Sequence, residues 1–220
     1  MRPTLPTPCL CLVTDRSLCD GTTFLKRISA AVAGGVDLVQ LREKDLPGGK
    51  LLNLANRIRD IIGGSALLVI NERVDVAVAV GADAVQLGED GLPTAAARKM
   101  LGEDVLIGRS VHSLAGATQA SAAGADFLLV GTMFASRSHP VEEPAGPGLV
   151  RGIASQSQLP LIGIGGIDAT NAGEVMDAGA QGVAVIRSIL ASDDPKSAAQ
   201  QIKQAMLASA AATRATCQPS

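Results

Sequence analysis

Polar and charged residues of the kinds that bind anions and transfer protons follow short apolar runs along this chain. They are Gln40, Arg42, Lys44, Asn71, Glu72, Arg109, Ser110, His112, Ser136, Arg137, Ser138, His139, Gly165, Gly166, Arg187 and Ser188. Five of them are permanent cations, although the protein as a whole carries a formal net charge of -2. If the apolar runs are neighbouring strands, these side chains meet at one edge and form a site for an anionic ligand.

Two glycines and an arginine are typical of a phosphate site. The sequence GIGGID, residues 163–168, contains Gly165 and Gly166 and frees backbone N–H groups, while Arg187 and Ser188 follow the next apolar run. Backbone N–H groups and a guanidinium are common phosphate ligands, so we predict that these four residues bind phosphate. The alternative is a glycine turn that serves only tight packing.

His112 and His139 are the two histidines of the chain. Imidazole titrates near neutral pH and can act first as a base and then as an acid, so His112 is the predicted catalytic residue. The alternative is that His112 caps the following helix, with Ser113 as its N-cap residue. For His139, within the long loop 135–148, we predict a contact to phosphate or carboxylate; a mobile loop without function is the alternative.

Gln40, Arg42 and Lys44 stand at every second position near the end of an apolar run. In a strand, this alternation places all three side chains on the same face. We therefore predict that they contact the substrate. The alternative is a salt-bridged layer that includes Glu43 or Glu72.

Four similar segments, residues 33–42, 79–88, 122–131 and 177–186, define the elements that position these side chains. In each, a helix end passes through glycine into a strand. Successive copies lie roughly 45 to 55 residues apart, which suits two strand-helix units per copy and eight in all. Eight parallel units close into a (β/α)8 TIM barrel, an α/β fold whose active site lies at the carboxyl ends of the strands.

A pass along the chain predicts eight short, mostly continuous apolar strands, as expected for strands covered on both faces. They span residues 9–13, 38–41, 67–70, 84–87, 105–107, 127–130, 161–164 and 183–186. Apolar residues at helical spacing predict a helix over residues 51–62, and Pro93, Pro160 and Pro195 stand where elements begin. We assign residues 1–208 to a single barrel domain and residues 209–220 to a flexible C-terminal tail.

The composition excludes several classes of partner. A pI near 5.7 and an aromatic content of 1% argue against binding to nucleic acid or to an anionic membrane. No apolar stretch is long enough to span a bilayer, and the first residues lack the apolar core of a signal peptide, so we expect a cytoplasmic protein. Cys9, Cys11, Cys19 and Cys217 are expected to be plain thiols. The sequence leaves assembly into a homo-oligomer open.

Six motifs carry a resemblance that covers nearly the whole chain. In order they are VQLREKDL, the turn at Asn71, VQLGEDGLP, GRSVHSLAGA, GTMFASRSHP and PLIGIGGI. Together they resemble the superfamily that contains the thiamine phosphate synthases and the TenI-type thiazole tautomerases. This resemblance implies a small-molecule ligand, a thiazole phosphate of thiamine biosynthesis.

The synthase branch of this superfamily couples a pyrimidine methyl diphosphate to the thiazole phosphate with Mg²⁺. The resemblance places one metal ligand at Glu72 and another in an H-x-G-Q-x-D stretch, which reads Gln86 to Gly91 here, so that Asp90 is one residue out of register. The family's T-x-T-K diphosphate loop resembles Ser136 to His139, with histidine in place of lysine. Glu72, Asp90 and Arg137 are the residues that could substitute.

The tautomerase branch resembles this chain more closely at residues 107–117. Its S-V-H-S histidine corresponds to His112 and relays a proton as the carboxythiazole phosphate becomes aromatic, without a metal or other cofactor. We therefore predict a thiazole tautomerase first and a thiamine phosphate synthase second. A third interpretation is a barrel that has lost its chemistry and regulates by binding thiazole phosphate.

Overall fold

The computed structural model describes residues 2–135 and 144–216. Eight parallel strands form a closed barrel in which each strand pairs with the next in sequence and the last returns to the first. The strands are β1 (Cys9–Val13), β2 (Leu38–Leu41), β3 (Leu67–Asn71), β4 (Ala84–Leu87), β5 (Leu106–Val111), β6 (Phe127–Val130), β7 (Leu161–Ile164) and β8 (Gly182–Val185). The predicted TIM barrel is confirmed, and each of its eight strands overlaps a predicted run.

Helices alternate with the strands and cover the outside of the barrel. They are α1 (Phe24–Ala33), α2 (Gly48–Ile62), α3 (Val74–Val80), α4 (Thr94–Leu101), α5 (Leu114–Ala122), α6 (Gly146–Ala154), α7 (Ala172–Asp177), α8 (Arg187–Leu190) and α9 (Pro195–Thr216). The predicted helix over residues 51–62 is the greater part of α2. The predicted boundary between residues 208 and 209 falls inside α9, which continues to Thr216.

Two apolar cores hold the barrel together. The larger core lies between the strands and the helices, and the smaller one fills the barrel interior. Its members are Cys9, Cys11, Val13, Leu38, Val69, Ala84, Leu106, Phe127, Leu129, Ile162 and Ala184. Because a packed interior closes the barrel to ligands below this layer, only the open end beyond it can hold a substrate.

The cysteines of β1 belong to this interior. Cys9 and Cys11 are both buried, and loss of hydration raises the pKa of the Cys9 thiol and raises that of Cys11 to about 12. Both are therefore neutral thiols at physiological pH, as predicted. Cys19 is half-buried and unpaired, and Cys217 lies outside the described residues.

No helix in the described part of the chain combines the length and hydrophobicity needed to cross a bilayer.

Candidate functional site

A cavity of about 790 Å³ opens at the carboxyl ends of the strands. Most of the sequence-predicted site residues that the structure describes line it. They are Gln40, Arg42, Lys44, Asn71, Glu72, Ser110, His112, Gly165, Gly166, Arg187 and Ser188. The barrel brings them together because each follows, or ends, a strand whose carboxyl end faces this opening.

The remaining predicted residues lie elsewhere. Ser136, Arg137, Ser138 and His139 fall outside the described residues, so their roles stay predictions. Asp90 is exposed and does not line the cavity. The cavity also contains Asp15 and Glu89, which the sequence analysis did not predict as site residues. Asp15 follows β1 as closely as other site residues follow their strands, so the same rule could have found it.

Arg109 does not contribute to the anion site, contrary to the sequence prediction. Its guanidinium donates to the backbone carbonyls of Glu89, at 2.8 Å, and Leu92, at 3.0 Å. The alternation of β5 places Arg109 on the face opposite Ser110, which lines the cavity. Of the four predicted cations that the structure describes, three therefore line the cavity: Arg42, Lys44 and Arg187.

Amide side chains form the floor of the cavity. The Nε2 of Gln40 donates to Oδ1 of Asn71 at 3.0 Å, and the Nε2 of Gln86 donates to Oγ of Ser110 at 3.1 Å. The Oε1 atom of Gln86 is buried without a hydrogen-bond partner. These two hydrogen bonds link uncharged polar side chains of β2 with β3 and of β4 with β5, and Gln40, Asn71 and Ser110 line the cavity.

The alternative of a salt-bridged layer around Arg42 does not agree with the described contacts. Glu43 pairs instead with Arg16, whose Nη1 lies 3.1 Å from its Oε2 atom. Burial raises the pKa of the Glu43 carboxyl, against the opposing hydrogen bonds from Thr14 and Arg16. Among the described residues Arg42 forms no ion pair, so its charge is available to a ligand.

The glycine turn after β7 faces the cavity beside α8. Gly165 and Gly166 have φ angles of 108° and 64°, a region that favours glycine. A Cβ at Gly166 would lie 2.7 Å from the carbonyl oxygens of Phe134 and Ala135, so packing alone also demands glycine there. The Ser188 hydroxyl donates to the carbonyl of Ile167 and fixes this turn to α8. Arg187 remains beside the turn without an ion pair among the described residues.

His112 projects into the cavity just beyond β5. Its Nδ1 lies 2.7 Å from Oε2 of Glu89, and the two side chains are 53% and 47% exposed. Ser113 does cap α5, because its Oγ accepts from the N–H of Gly116 at 3.0 Å. Within the described residues His112 makes no capping hydrogen bond. The predicted N-cap at Ser113 is therefore confirmed, and His112 itself does not cap the helix.

Comparison with known proteins identifies the family of the chain. Residues 10–189 match the family model described as thiamine monophosphate synthase, TMP-TENI. The chain belongs to this family.

Relatives of the family in archaea match almost the full chain. The thiamine-phosphate synthase of Haloarcula marismortui is 42% identical over 200 residues, which cover 89% of this chain and 95% of that protein. The thiamine-phosphate synthase of Methanoculleus marisnigri is 41% identical over 210 residues, covering 93% and 98%. The solved structure of thiamine phosphate pyrophosphorylase from Pyrococcus furiosus superposes with a TM-score of 0.83 at 31% identity, covering 91% and 96%. The protein is therefore an enzyme of thiamine biosynthesis.

Of the two positions that the resemblance assigns to Mg²⁺ in the synthase branch, Glu72 carries a carboxylate and Gly91 does not. The Oε1 atom of Glu72 accepts from the backbone N–H of Gly88, and the carboxylate lies over Gly91, where a Cβ would be 2.6 Å from Oε2. Gly91 offers no side-chain oxygen. Within residues 2–135 and 144–216, no three His, Cys, Asp or Glu residues are grouped to hold a metal ion. Mg²⁺ is commonly held by one or two carboxylates together with waters and substrate phosphates, and of this pair only Glu72 supplies a carboxylate.

Proposed function

We propose that the protein is a thiazole tautomerase that converts the non-aromatic carboxythiazole phosphate into the aromatic thiazole. The observation that carries the proposal is the position of His112 in the cavity, hydrogen-bonded through Nδ1 to Glu89. This contact leaves Nε2 for the substrate. A neutral imidazole can remove the ring proton with Nε2, and the imidazolium can return a proton to the side-chain carbon, so that one residue serves both steps.

The other cavity residues have roles that follow from their charge and position. Gly165, Gly166, Arg187 and Ser188 would hold the phosphate, with charge-assisted hydrogen bonds from the guanidinium. Arg42 and Lys44, which follow β2 and line the same cavity, would bind the carboxylate. Gln40, Asn71 and Ser110 would contact the ring from below. This reaction is an isomerisation and needs no metal or other cofactor.

Thiamine-phosphate synthase is the second candidate, and the comparisons favour it over the tautomerase. The relatives reported above are all named for the synthase reaction. A cavity of about 790 Å³ also has room for more than one small ligand. Against this candidate stands the arrangement of Glu72 and Gly91, which leaves Mg²⁺ without the carboxylate pair that the resemblance assigns to the synthases.

One pair of assays separates the two activities. EDTA is expected to leave tautomerase turnover unchanged, because His112 and not a metal moves the proton. Coupling of the pyrimidine diphosphate to thiazole phosphate is expected to be slow or absent at millimolar Mg²⁺, measured as thiamine phosphate formed. Robust Mg²⁺-dependent coupling would place the synthase first. Neither activity, with retained binding of thiazole phosphate, would favour the non-catalytic regulator.

The phosphate site can be tested without turnover. Arg187→Ala is expected to weaken binding of thiazole phosphate by about 1.5 to 3 kcal/mol, because the phosphate loses a charge-assisted hydrogen bond. Binding of the dephosphorylated thiazole should change little, as measured by titration calorimetry. Arg151→Ala, on the exposed surface of α6, is the matched control. Equal losses for the two ligands would show that Arg187 is structural.

The small-molecule ligand, the cytoplasmic location and the absence of nucleic-acid or membrane partners remain part of this proposal.

A further inference from the structure

The loop after β4 is fixed to the barrel by its neighbours on three sides. Glu72 accepts from the N–H of Gly88 at its start, and Arg109 donates to the carbonyls of Glu89 and Leu92. The third contact is made by the Glu89 side chain, which reaches His112. Glu89 is thus held at its backbone by one side chain and at its carboxylate by another.

The carboxylate of Glu89 lies between His112 and the start of α5. Its Oε2 atom faces Nδ1 of His112 at 2.7 Å, and its Oε1 atom lies near the first turn of α5, where a Cβ on Gly116 would be 3.0 Å away. One oxygen is therefore held by His112 and the other lies close to α5, although the side chain is 47% exposed. The sequence position alone does not reveal this, because Glu89 precedes His112 by an entire strand-helix unit.

An ionised carboxylate can only accept a hydrogen bond, whereas each ring nitrogen of neutral histidine either donates or accepts. The contact with Glu89 therefore requires the proton to be on Nδ1. The hydrogen bond made by one ring nitrogen determines which tautomer is present, and Nε2 is then the unprotonated atom. Among the described residues Nε2 has no hydrogen-bond partner, and His112 lines the cavity, so this basic nitrogen is left for a ligand.

We infer that Glu89 is a positioning residue that holds His112 in its Nδ1–H tautomer, and that Arg109 acts through Glu89 by fixing the loop that carries it. The inference deepens the proposed tautomerase function and rests on it for its kinetic consequence. Its structural consequence, the tautomer of His112, does not depend on any activity.

Nitrogen NMR of the histidine rings tests the tautomer directly. The Nδ1–H form of His112 is expected to predominate in the wild-type protein when the ring is neutral. Glu89→Gln is nearly isosteric, but its amide can donate to Nδ1 as well as accept, so the Nε2–H share should rise. Glu103→Gln, on an exposed loop, is the control and should leave the ratio unchanged. Because the chain has 2 histidines, a His139→Gln sample assigns the signals.

Kinetics test the consequence for catalysis. Glu89→Gln is expected to lower kcat for tautomerisation by about 10-fold to 100-fold, the loss seen when partners that orient metal-binding histidines are removed. The KM should change little, because Glu89 binds histidine and not substrate. Arg109→Met should lower kcat less, and it should add no further loss in the Glu89→Gln background, since residues that act through one contact are not additive.

The outcomes separate this inference from the function on which it rests. A wild-type His112 in the Nε2–H form, or a tautomer ratio unchanged by Glu89→Gln, would overturn the role of Glu89 whatever the activity. A predominant Nδ1–H form that depends on Glu89, in a protein without tautomerase turnover, would establish the positioning role and refute the proposed function. Full additivity of the two substitutions would assign Arg109 an independent role.

Discussion

Replacing His112 with glutamine is expected to lower tautomerase turnover by about 10² to 10⁴, the usual contribution of a positioned acid or base. Glutamine is polar and of similar size, but it cannot exchange protons near neutral pH. Affinity for thiazole phosphate, measured by calorimetry, and the melting temperature should change little, because His112 is half-exposed and contributes no cap to α5. Steady-state turnover with carboxythiazole phosphate is the deciding measurement.

His139→Gln tests the other histidine of the chain, which is the next candidate for the proton relay. If His112→Gln keeps near-normal turnover while His139→Gln loses it, the proton relay lies in the loop 135–148 and the proposed role of His112 is wrong. If His112→Gln unfolds the protein, its contact with Glu89 is required for folding, and the kinetic loss says nothing of proton transfer. The melting temperature distinguishes these results.

The barrel was predictable because the same strand-helix pattern recurs along the chain and each copy must bury both faces of its strand. The errors lie at strand ends. The apolar run at residues 105–107 predicted a short fifth strand, whereas β5 continues through Arg109 and Ser110 to Val111. Polar residues belong inside a strand at the open end of a barrel, since the cavity and not the apolar core receives their side chains. Hydrophobicity therefore underestimates the length of strands that carry the site.

The cavity lining was predictable from the rule that strands end at the site, but the use of individual charges was not. Arg109 follows the same apolar run as Ser110 and His112, yet its side chain leaves on the opposite face and binds loop carbonyls. Glu89 contacts His112 only because β4 and β5 are adjacent in the barrel. Such contacts depend on the folding of a loop, for which the local sequence contains no periodic signal.

The backbone conformation of Glu72 could not be predicted from the sequence. Its φ of 62° is in the left-handed region, which non-glycine residues rarely adopt, and the strain is stabilised by the contact of its carboxylate with Gly88. The carboxylate then occupies the space next to Gly91. The conformation of Glu72 thus affects which residues can stand at position 91.

Introducing a carboxylate at Gly91 is expected to destabilise the protein. The backbone of Gly91 is not left-handed, so the obstacle to a side chain there is contact with the Glu72 carboxylate and, at 3.1 Å, with the carbonyl oxygen of Gly88. Gly91→Asp should lower the free energy of unfolding by about 2 to 4 kcal/mol, because it overpacks the contact and brings two like charges together. Denaturant unfolding measures the loss. Gly49→Asp, where a Cβ would meet nothing within 4 Å, is the matched control.

Shortening Glu72 should reverse much of this loss. The double variant combines Glu72→Asp with Gly91→Asp. The side chain at position 72 is then shorter by one methylene, so the carboxylates at positions 72 and 91 can face each other across the space that Glu72 occupies in the wild-type protein. In the absence of substrate phosphates, two facing carboxylates should hold Mg²⁺ better than one, so calorimetry should detect tighter Mg²⁺ binding to the double variant than to the wild-type protein. If Gly91→Asp alone is fully stable and binds Mg²⁺, then Glu72 moves aside readily. In that case the obstacle to metal-dependent coupling disappears, and the synthase becomes the better assignment for this member of the family.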